Sequence, residues 1–154
     1  MRAVLSLGSN LGNSAEILSS AAEALNEVSE IIALSSFYQT RPVGGPPQPD
    51  FLNAVVVIDT NLEPEELLMV AQAIEAAHGR ERTVDTVKWG PRSLDIDLIK
   101  CDELIFNSSD LTIPHPRAHE REFVLRPWLE IDPTATLPGF GQISGLLESG
   151  QFSE

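Results

Sequence analysis

Trp89-Gly90-Pro91-Arg92-Ser93-Leu94-Asp95-Ile96-Asp97-Leu98-Ile99 is the stretch on which the reading of this chain turns. A Gly-Pro turn leads into an alternating strand. Successive strand side chains point to opposite faces, so Leu94, Ile96 and Leu98 share one face and Asp95 and Asp97 the other. The two carboxylates then stand roughly 6–7 Å apart at their Cα atoms, given a rise of ~3.3 Å per residue. Their ends can close on one metal ion, or on two ions about 3.5–4 Å apart. Hard oxygen ligands favour Mg²⁺, Mn²⁺ or Ca²⁺ over zinc. Arg92 enters the strand three residues earlier. Carboxylates for a metal beside a guanidinium for an oxyanion are the equipment of phosphoryl-type transfer. A solvated strand face is the bland alternative, although two Asp within three residues work against strand propensity. An EF-hand is excluded, because no third ligand and glycine follow at loop spacing.

The rest of the chain sets the frame around that strand. With 154 residues, 42% of them hydrophobic, the chain suits one globular domain over 1–154. A net charge of −13 repels nucleic acid and anionic membranes. Yet Arg80, Arg82, Lys88, Arg92, Arg117, Arg121 and Arg126, out of ten Lys plus Arg in all, fall between 80 and 126. They read as a local anion site on an acidic body, with surface scatter as the alternative. The one cysteine, Cys101, excludes an intramolecular disulfide and reads as a buried small residue. No leader-like segment precedes the first strand and no apolar run reaches the ~18 residues of a membrane span. A cytoplasmic monomer is the expectation.

Arg2 to Leu7 reads as a buried strand ended by Gly8-Ser9-Asn10. Asn13 or Ser14 caps a helix whose apolar positions run from Ile17 to Val28. Glu30 to Tyr38 is a second strand, and Thr40 to Asp50, with four prolines and two glycines, a long shaped loop. Phe51 to Thr60 is a third strand, and Glu63 to Ala77 an amphipathic helix with Pro64 in its first turn and Gly79 at its end. Arg80 to Gly90 reads as a polar, mobile loop, expected to order over bound nucleotide. After the Asp95/Asp97 strand, Asp102-Glu103 is a turn. Pro114-His115-Pro116 is expected to be extended, Glu120 to Leu129 a short helix broken at Pro127, and Gln142 to Glu148 a last helix. The order strand–helix–strand–strand–helix–strand is the split βαβ pattern. The fold class is therefore α+β: a ferredoxin-like sandwich with a mainly antiparallel sheet, helices on one face and the other open to ligand.

With those motifs in place, the chain resembles the 6-hydroxymethyl-7,8-dihydropterin pyrophosphokinase family of folate biosynthesis. Trp89 to Ile99 resembles the family signature, and Gly8-Ser9-Asn10-Leu11-Gly12 its opening turn. Ser36-Phe37-Tyr38-Gln39-Thr40 with Pro42, and Phe51-Leu52-Asn53-Ala54, resemble its pterin-side elements. Ile74-Glu75 with Gly79-Arg80-Glu81-Arg82 resembles its nucleotide helix end. Pro114-His115-Pro116-Arg117 and Arg121-Glu122-Phe123-Val124-Leu125 resemble its closing motifs. The resemblance covers residues 1 to about 133. It implies transfer of pyrophosphate from ATP to the hydroxymethyl oxygen of the pterin, giving AMP, with two Mg²⁺ ions held by Asp95 and Asp97. It implies that Arg82 and Arg92 act in catalysis, and that Gln72, Glu75, Arg82, Trp89, Arg92, Leu98, Thr112, His115 and Arg121 bind ATP. No GxxxxGK[ST] loop is present, so guanidinium forks must hold the phosphates.

For the pterin, the resemblance implies a sandwich between Phe51 and Phe123, an edge-reading amide at Asn53, and backbone contacts from Thr40 and Val43. The partners implied are small molecules only. His78 and His119 receive no role. Arg41 stands where many relatives carry proline, Asp110 where some carry a basic ATP contact, and the 80–91 loop is slightly longer. Three rivals are weighed. A catalytically silent binding module has no use for Asp95, Asp97, Arg82 and Arg92. An RNA-binding sheet needs an aromatic run and a basic face that are missing. A metal phosphohydrolase or nucleotidyltransferase differs in its nucleotide product.

Overall fold

The computed structural model describes residues 1–42, 45–79, 93–150 and 152. The expected loop over Arg80 to Gly90, with Arg82, Trp89 and also Arg92, lies outside the described residues, as does Val43. Alternation of apolar residues builds the central sheet. Its strands are β1 (Arg2–Ser9), β2 (Glu30–Leu34), β3 (Tyr38–Thr40), β4 (Phe51–Asp59) and β5 (Asp95–Cys101). The order is β2-β4-β1-β5, with β3 also on β4, and every pairing is antiparallel. This is the ferredoxin-like arrangement expected. Gly8 and Ser9, expected to end the strand, belong to β1, where Gly8 pairs with both Asn53 and Asp95.

Two helices cover the first face, α1 (Ser14–Val28) and α2 (Pro64–Ala77). The Asn13 side chain accepts from the Glu16 N–H at 3.3 Å, satisfying one of the orphan donors at the start of α1. At α2 the Glu66 carboxylate accepts from the Glu63 N–H at 3.0 Å. The helix stops after Ala77, with His78 as its cap, and Gly79 then takes a φ of 86° that a side chain would disfavour. Leu18, Ala21 and Leu25 from α1, and Leu67, Ala71 and Ile74 from α2, pack on Ala3, Leu5, Leu7, Ala54, Val56, Ile58, Leu94, Ile96 and Leu98. His78 ties the pair together: its Nδ1 lies 2.8 Å from the Ile74 carbonyl and its Nε2 2.9 Å from the Ser20 hydroxyl.

The second face is not open along its length, contrary to the sequence reading. Beyond β5 come two short hairpins, β6 (Phe106–Asn107) with β7 (Thr112–Ile113) and β8 (Thr136–Leu137) with β9 (Gly141–Gln142). A 3-10 turn (Ala118–Glu120) leads into α3 (Glu122–Ile131), and α4 (Ile143–Ser149) closes the chain. Val124, Leu125, Trp128 and Ile143 pack on Val4, Val55, Val57 and Ile99. A helix layer therefore covers one end of the second face and leaves the other end to the polar residues described below. A bulge in β5 assists: the register shifts so that Lys100, not Ile99, opposes Val4. Ile99 enters the α3 core, and Lys100 donates from Nζ to the Thr136 carbonyl at 2.8 Å, anchoring β8.

Three further expectations are corrected. The second strand is two, β2 and β3, interrupted at Ser35–Phe37, where Ser35 instead exchanges bonds with Val55. The helix at Pro127 is not broken: α3 runs through it to Ile131. Proline in a helix interior costs about 3 kcal/mol. Burial of Val124, Leu125 and Trp128, each contributing about 1.5–3 kcal/mol, outweighs that. Pro114-His115-Pro116 is a bend and turn after a cis Ile113–Pro114 peptide, not extended chain. Cys101 is buried as expected. Among the described residues no helix is long and apolar enough to cross a membrane.

Candidate active site

The end of the second face away from the α3 and α4 core collects the residues singled out in the sequence. β1 runs down its middle. Gly8 lies between Asn53 of β4 and Asp95 of β5, and Ser6 between Val55 and Asp97. Paired residues in adjacent antiparallel strands share a face, so Asn53, Gly8 and Asp95 form one lateral row and Asp97 begins the next. Asp95 and Asp97 are half-buried, while Ile96 and Leu98 between and beyond them are buried on the first face. The alternation expected from the sequence is the alternation found.

The start of α3 overhangs this row. Arg121 places Nη1 3.6 Å from the Asp97 carboxylate, with side chains 22% and 30% exposed respectively. Its guanidinium carbon is 5.5 Å from the Phe123 ring centroid, which brings the ring beside the charged pair. Burial pushes the Arg121 pKa down, against the pull of Asp97 and Asp95 in the opposite direction. His115 approaches from the turn after β7. Its backbone N–H donates to the Ile99 carbonyl at 3.0 Å, fixing it on β5. Burial, then the Arg121 charge, lower its pKa to about 4, so the imidazole is neutral at pH 7. Its Nδ1 accepts from the Arg117 N–H at 3.1 Å, which leaves the ring proton on Nε2. The result is a neutral donor beside a cation and two carboxylates.

On the other side of Gly8, the buried Asn53 donates from Nδ2 to the Thr40 hydroxyl, which orients the amide. A Cβ built on Gly8 would lie 3.1 Å from Asn53 Oδ1 and 3.7 Å from Phe51 Cδ1, so the Phe51 ring edge and the amide flank a bare stretch of β1. Asn10, also buried, donates to the Gln48 side chain at 2.8 Å and the Pro49 carbonyl at 2.9 Å, fastening the proline-rich loop to the end of β1.

The ATP-side residues are spread around β5 rather than over the row. Leu98 is buried on the first face, and its backbone lies on the outer edge of β5, because the Ile96 N–H two residues back points outward to the Glu75 carboxylate at 2.8 Å. Glu75 is thus a buried acceptor on α2, and Gln72 is exposed one turn earlier. Thr112 sits in β7, beside β5, with its hydroxyl donating to Asn107 at 3.1 Å. Arg82, Trp89, Arg92 and Val43 lie outside the described residues. Among the described residues no three His, Cys, Asp or Glu gather into a metal cluster. Two carboxylates nonetheless fit Mg²⁺, which keeps several waters and takes one or two carboxylates together with substrate phosphates.

Sequence reasoning missed both Ser6, read as part of a buried strand, and Gly8, read as the end of that strand, as members of this face, because small residues show no face until their partners are known. It also missed Glu130, at the end of α3. The Glu130 carboxylate accepts from the Ser36 N–H at 3.0 Å, the Ser36 hydroxyl at 3.0 Å and the Tyr38 hydroxyl at 2.6 Å. Those bonds tie α3, and with it Phe123, to the strand leading to Thr40. No local pattern marks such a contact across more than ninety residues of chain.

Comparison with known proteins gives matches over most of the chain. The family model described as 7,8-dihydro-6-hydroxymethylpterin-pyrophosphokinase matches residues 4–133. A Mycobacterium tuberculosis protein named 2-amino-4-hydroxy-6-hydroxymethyldihydropteridine pyrophosphokinase is 46% identical over 146 residues, 88% of this chain and 75% of that protein. The Schizosaccharomyces pombe folic acid synthesis protein fol1 is 38% identical over 138 residues, 88% of this chain but 18% of that much longer one. A crystal structure of wild-type Plasmodium falciparum HPPK-DHPS shares the fold, with a TM-score of 0.73 at 16% identity, over 96% of this chain and 44% of that one.

Proposed function

Because the chain belongs to the 7,8-dihydro-6-hydroxymethylpterin-pyrophosphokinase family, we propose that Asp95, Asp97, Arg121, His115 and Phe123, facing Asn53 across Gly8, form its reaction centre. The activity is that of a pyrophosphokinase of folate synthesis. ATP gives its terminal pyrophosphate to the hydroxymethyl oxygen of the pterin. The new bond joins that oxygen to the β-phosphorus, the bond from the β-phosphorus to the α-bridging oxygen breaks, AMP departs and the hydroxyl loses its proton. Asp95 and Asp97 would hold magnesium, two ions in our reading, which when bound supplies positive charge to the triphosphate.

The chain's own groups do the rest. Arg121 offers a guanidinium fork to phosphate oxygens, and its Asp97 neighbour keeps that fork aimed along the row. His115, neutral and protonated on Nε2, donates to a phosphate oxygen without adding charge. The open edge of β5 at Leu98, with Thr112 nearby, suits a purine edge that both donates and accepts; Gln72 and Glu75 border it from α2. Phe51 and Phe123 supply the planes for the pterin, and Asn53, steadied by Thr40, reads its edge. Arg82, Arg92, Trp89 and Val43 join the site through the sequence signature alone. Holding both reactants in line is the main source of rate in such a reaction. We take residues 1–154 as one pyrophosphokinase domain acting as a cytoplasmic monomer on ATP and the pterin.

The observation that carries this reading is the shared face: two carboxylates, an arginine 3.6 Å from one of them, and a buried amide across one glycine. The test is the nucleotide product. Protein, ATP, Mg²⁺ and 6-hydroxymethyl-7,8-dihydropterin are incubated and the nucleotides separated. AMP in step with pterin consumption supports the reading. ADP means an ordinary kinase, and unchanged ATP a binding module.

A further inference from the structure

Gly8 is the one position in the Asn53–Gly8–Asp95 row that carries no side chain. Its backbone does not ask for glycine: it lies within β1, and it is not among the glycines with positive φ. An alanine there meets no backbone obstacle. What its Cβ meets is Asn53 Oδ1 at 3.1 Å and Phe51 Cδ1 at 3.7 Å, both on the pterin side. A glycine in a strand interior weakens the strand and often marks a close approach by a ligand. Adjacent strands lie about 4.8 Å apart, so the Cα atoms of Asn53 and Asp95 are separated by roughly 10 Å, with only backbone between them on this face.

We propose that Gly8 is the bare floor over which the 6-substituent of the acceptor passes from the Asn53 amide to the Asp95 carboxylate, and is thereby a specificity-determining residue for pterins with a short 6-substituent. This deepens the function proposed above and rests on it. The ring is read at Asn53, and the reacting oxygen must reach the carboxylates two strands away. A side chain at position 8 would stand under that path and press on the amide. Ser6, next on the same face, is buried beside Asp97 and bounds the path on its far side.

The test compares Gly8→Ala with the parent on three ligands: 6-hydroxymethyl-7,8-dihydropterin, the same dihydropterin without a 6-substituent, and a non-hydrolysable ATP analogue with Mg²⁺. Overpacking by one methyl is expected to weaken the 6-hydroxymethyl compound about tenfold or more, and the unsubstituted ring by no more than about threefold. The ATP analogue should bind as before, and turnover should fall further than pterin affinity. Equal losses on both pterins, no loss, or a matching loss of the ATP analogue would each overturn the proposal. Should the variant not fold, the Gly8 amide signal of the parent decides. It should shift differently with the substituted and unsubstituted pterins, and identical shifts overturn the proposal. A parent chain that binds neither pterin sinks the functional reading itself, whatever Gly8 does.

Discussion

Ile96 and Asp97 are neighbours in one strand, and substituting each should produce opposite phenotypes. Asp97 faces the site and touches Arg121 at 3.6 Å, with both side chains still partly exposed. Such a pair contributes about 1 kcal/mol or less to stability. For a chain of this size, ~1 kcal/mol corresponds to about 2–4 °C in Tm. Asp97→Ala should therefore melt within a few degrees of the parent. Its chemistry should suffer far more. Charge stabilisation by a metal, or by one oriented donor, is worth several kcal/mol in a transition state, which is about 10²–10³ in kcat/KM. Ile96 is 4% exposed in the core against α2. Ile96→Ala should lose about 2–5 kcal/mol of stability. Assayed well below its Tm, it should keep turnover within a few-fold. Melting curves and AMP release over a Mg²⁺ titration read both variants. Asp97→Ala with turnover within tenfold of the parent at saturating Mg²⁺ would refute the assignment of the face. Parallel losses of activity in the two variants would refute the alternation argument beneath it.

Phe123→Ala should weaken the pterin and spare an ATP analogue; base–aromatic stacking of ~1–3 kcal/mol sets the expected loss at about 5- to 150-fold, and equal losses would mark Phe123 as packing. His115 should titrate near pH 4 by NMR in the free protein. Because that value is depressed, its stabilisation is complete above pH 6.5 and fades as the pH falls towards 4; a midpoint at 6.5 contradicts the buried setting. The bond from the Tyr38 hydroxyl, then those from Ser36, hold the Glu130 carboxyl below its ordinary value. Its contribution is thus present above the unfolded value of about 4.3 and lost as the pH falls through the folded one. Glu130→Gln should lose less stability than the parent between pH 7 and pH 3 in urea titrations, and equal losses would leave the contact without weight.

What could be read from the sequence was local. The period of two in Leu94–Leu98 fixed the faces of β5, and Pro64 with Glu63 and Glu66 marked the start of α2, because those signals sit within a few residues. The α3 layer was missed for the opposite reason. Pro127 is a strong local stop, and only the distant Val4, Val55, Val57 and Ile99, brought beneath Val124, Leu125 and Trp128, override it. The split of the second strand likewise follows from Ser35 bonding to Val55 across the sheet. In the site, Asp95 and Asp97 stood out by type and spacing, while Asn53, Arg121 and His115 were singled out through the family resemblance. Gly8 and Ser6 were not, since a small residue has meaning only in relation to what stands beside it. Glu130 was missed because its partners, Ser36 and Tyr38, come from the far end of the chain.

The edge of β5 carries one more consequence. Among the described residues this strand pairs in the central sheet with β1 alone, and the outer ladder of such a strand recruits further strands and seeds aggregation unless it is covered. Here the ladder begins with a buried carboxylate. Glu75 is 1% exposed and already holds the Ile96 N–H at 2.8 Å. An incoming strand would have to break that bond and displace a buried side chain. That rung is thereby closed to polymerising chains, and further along the same strand the His115 N–H already holds the Ile99 carbonyl at 3.0 Å, so two distant parts of the chain guard one edge.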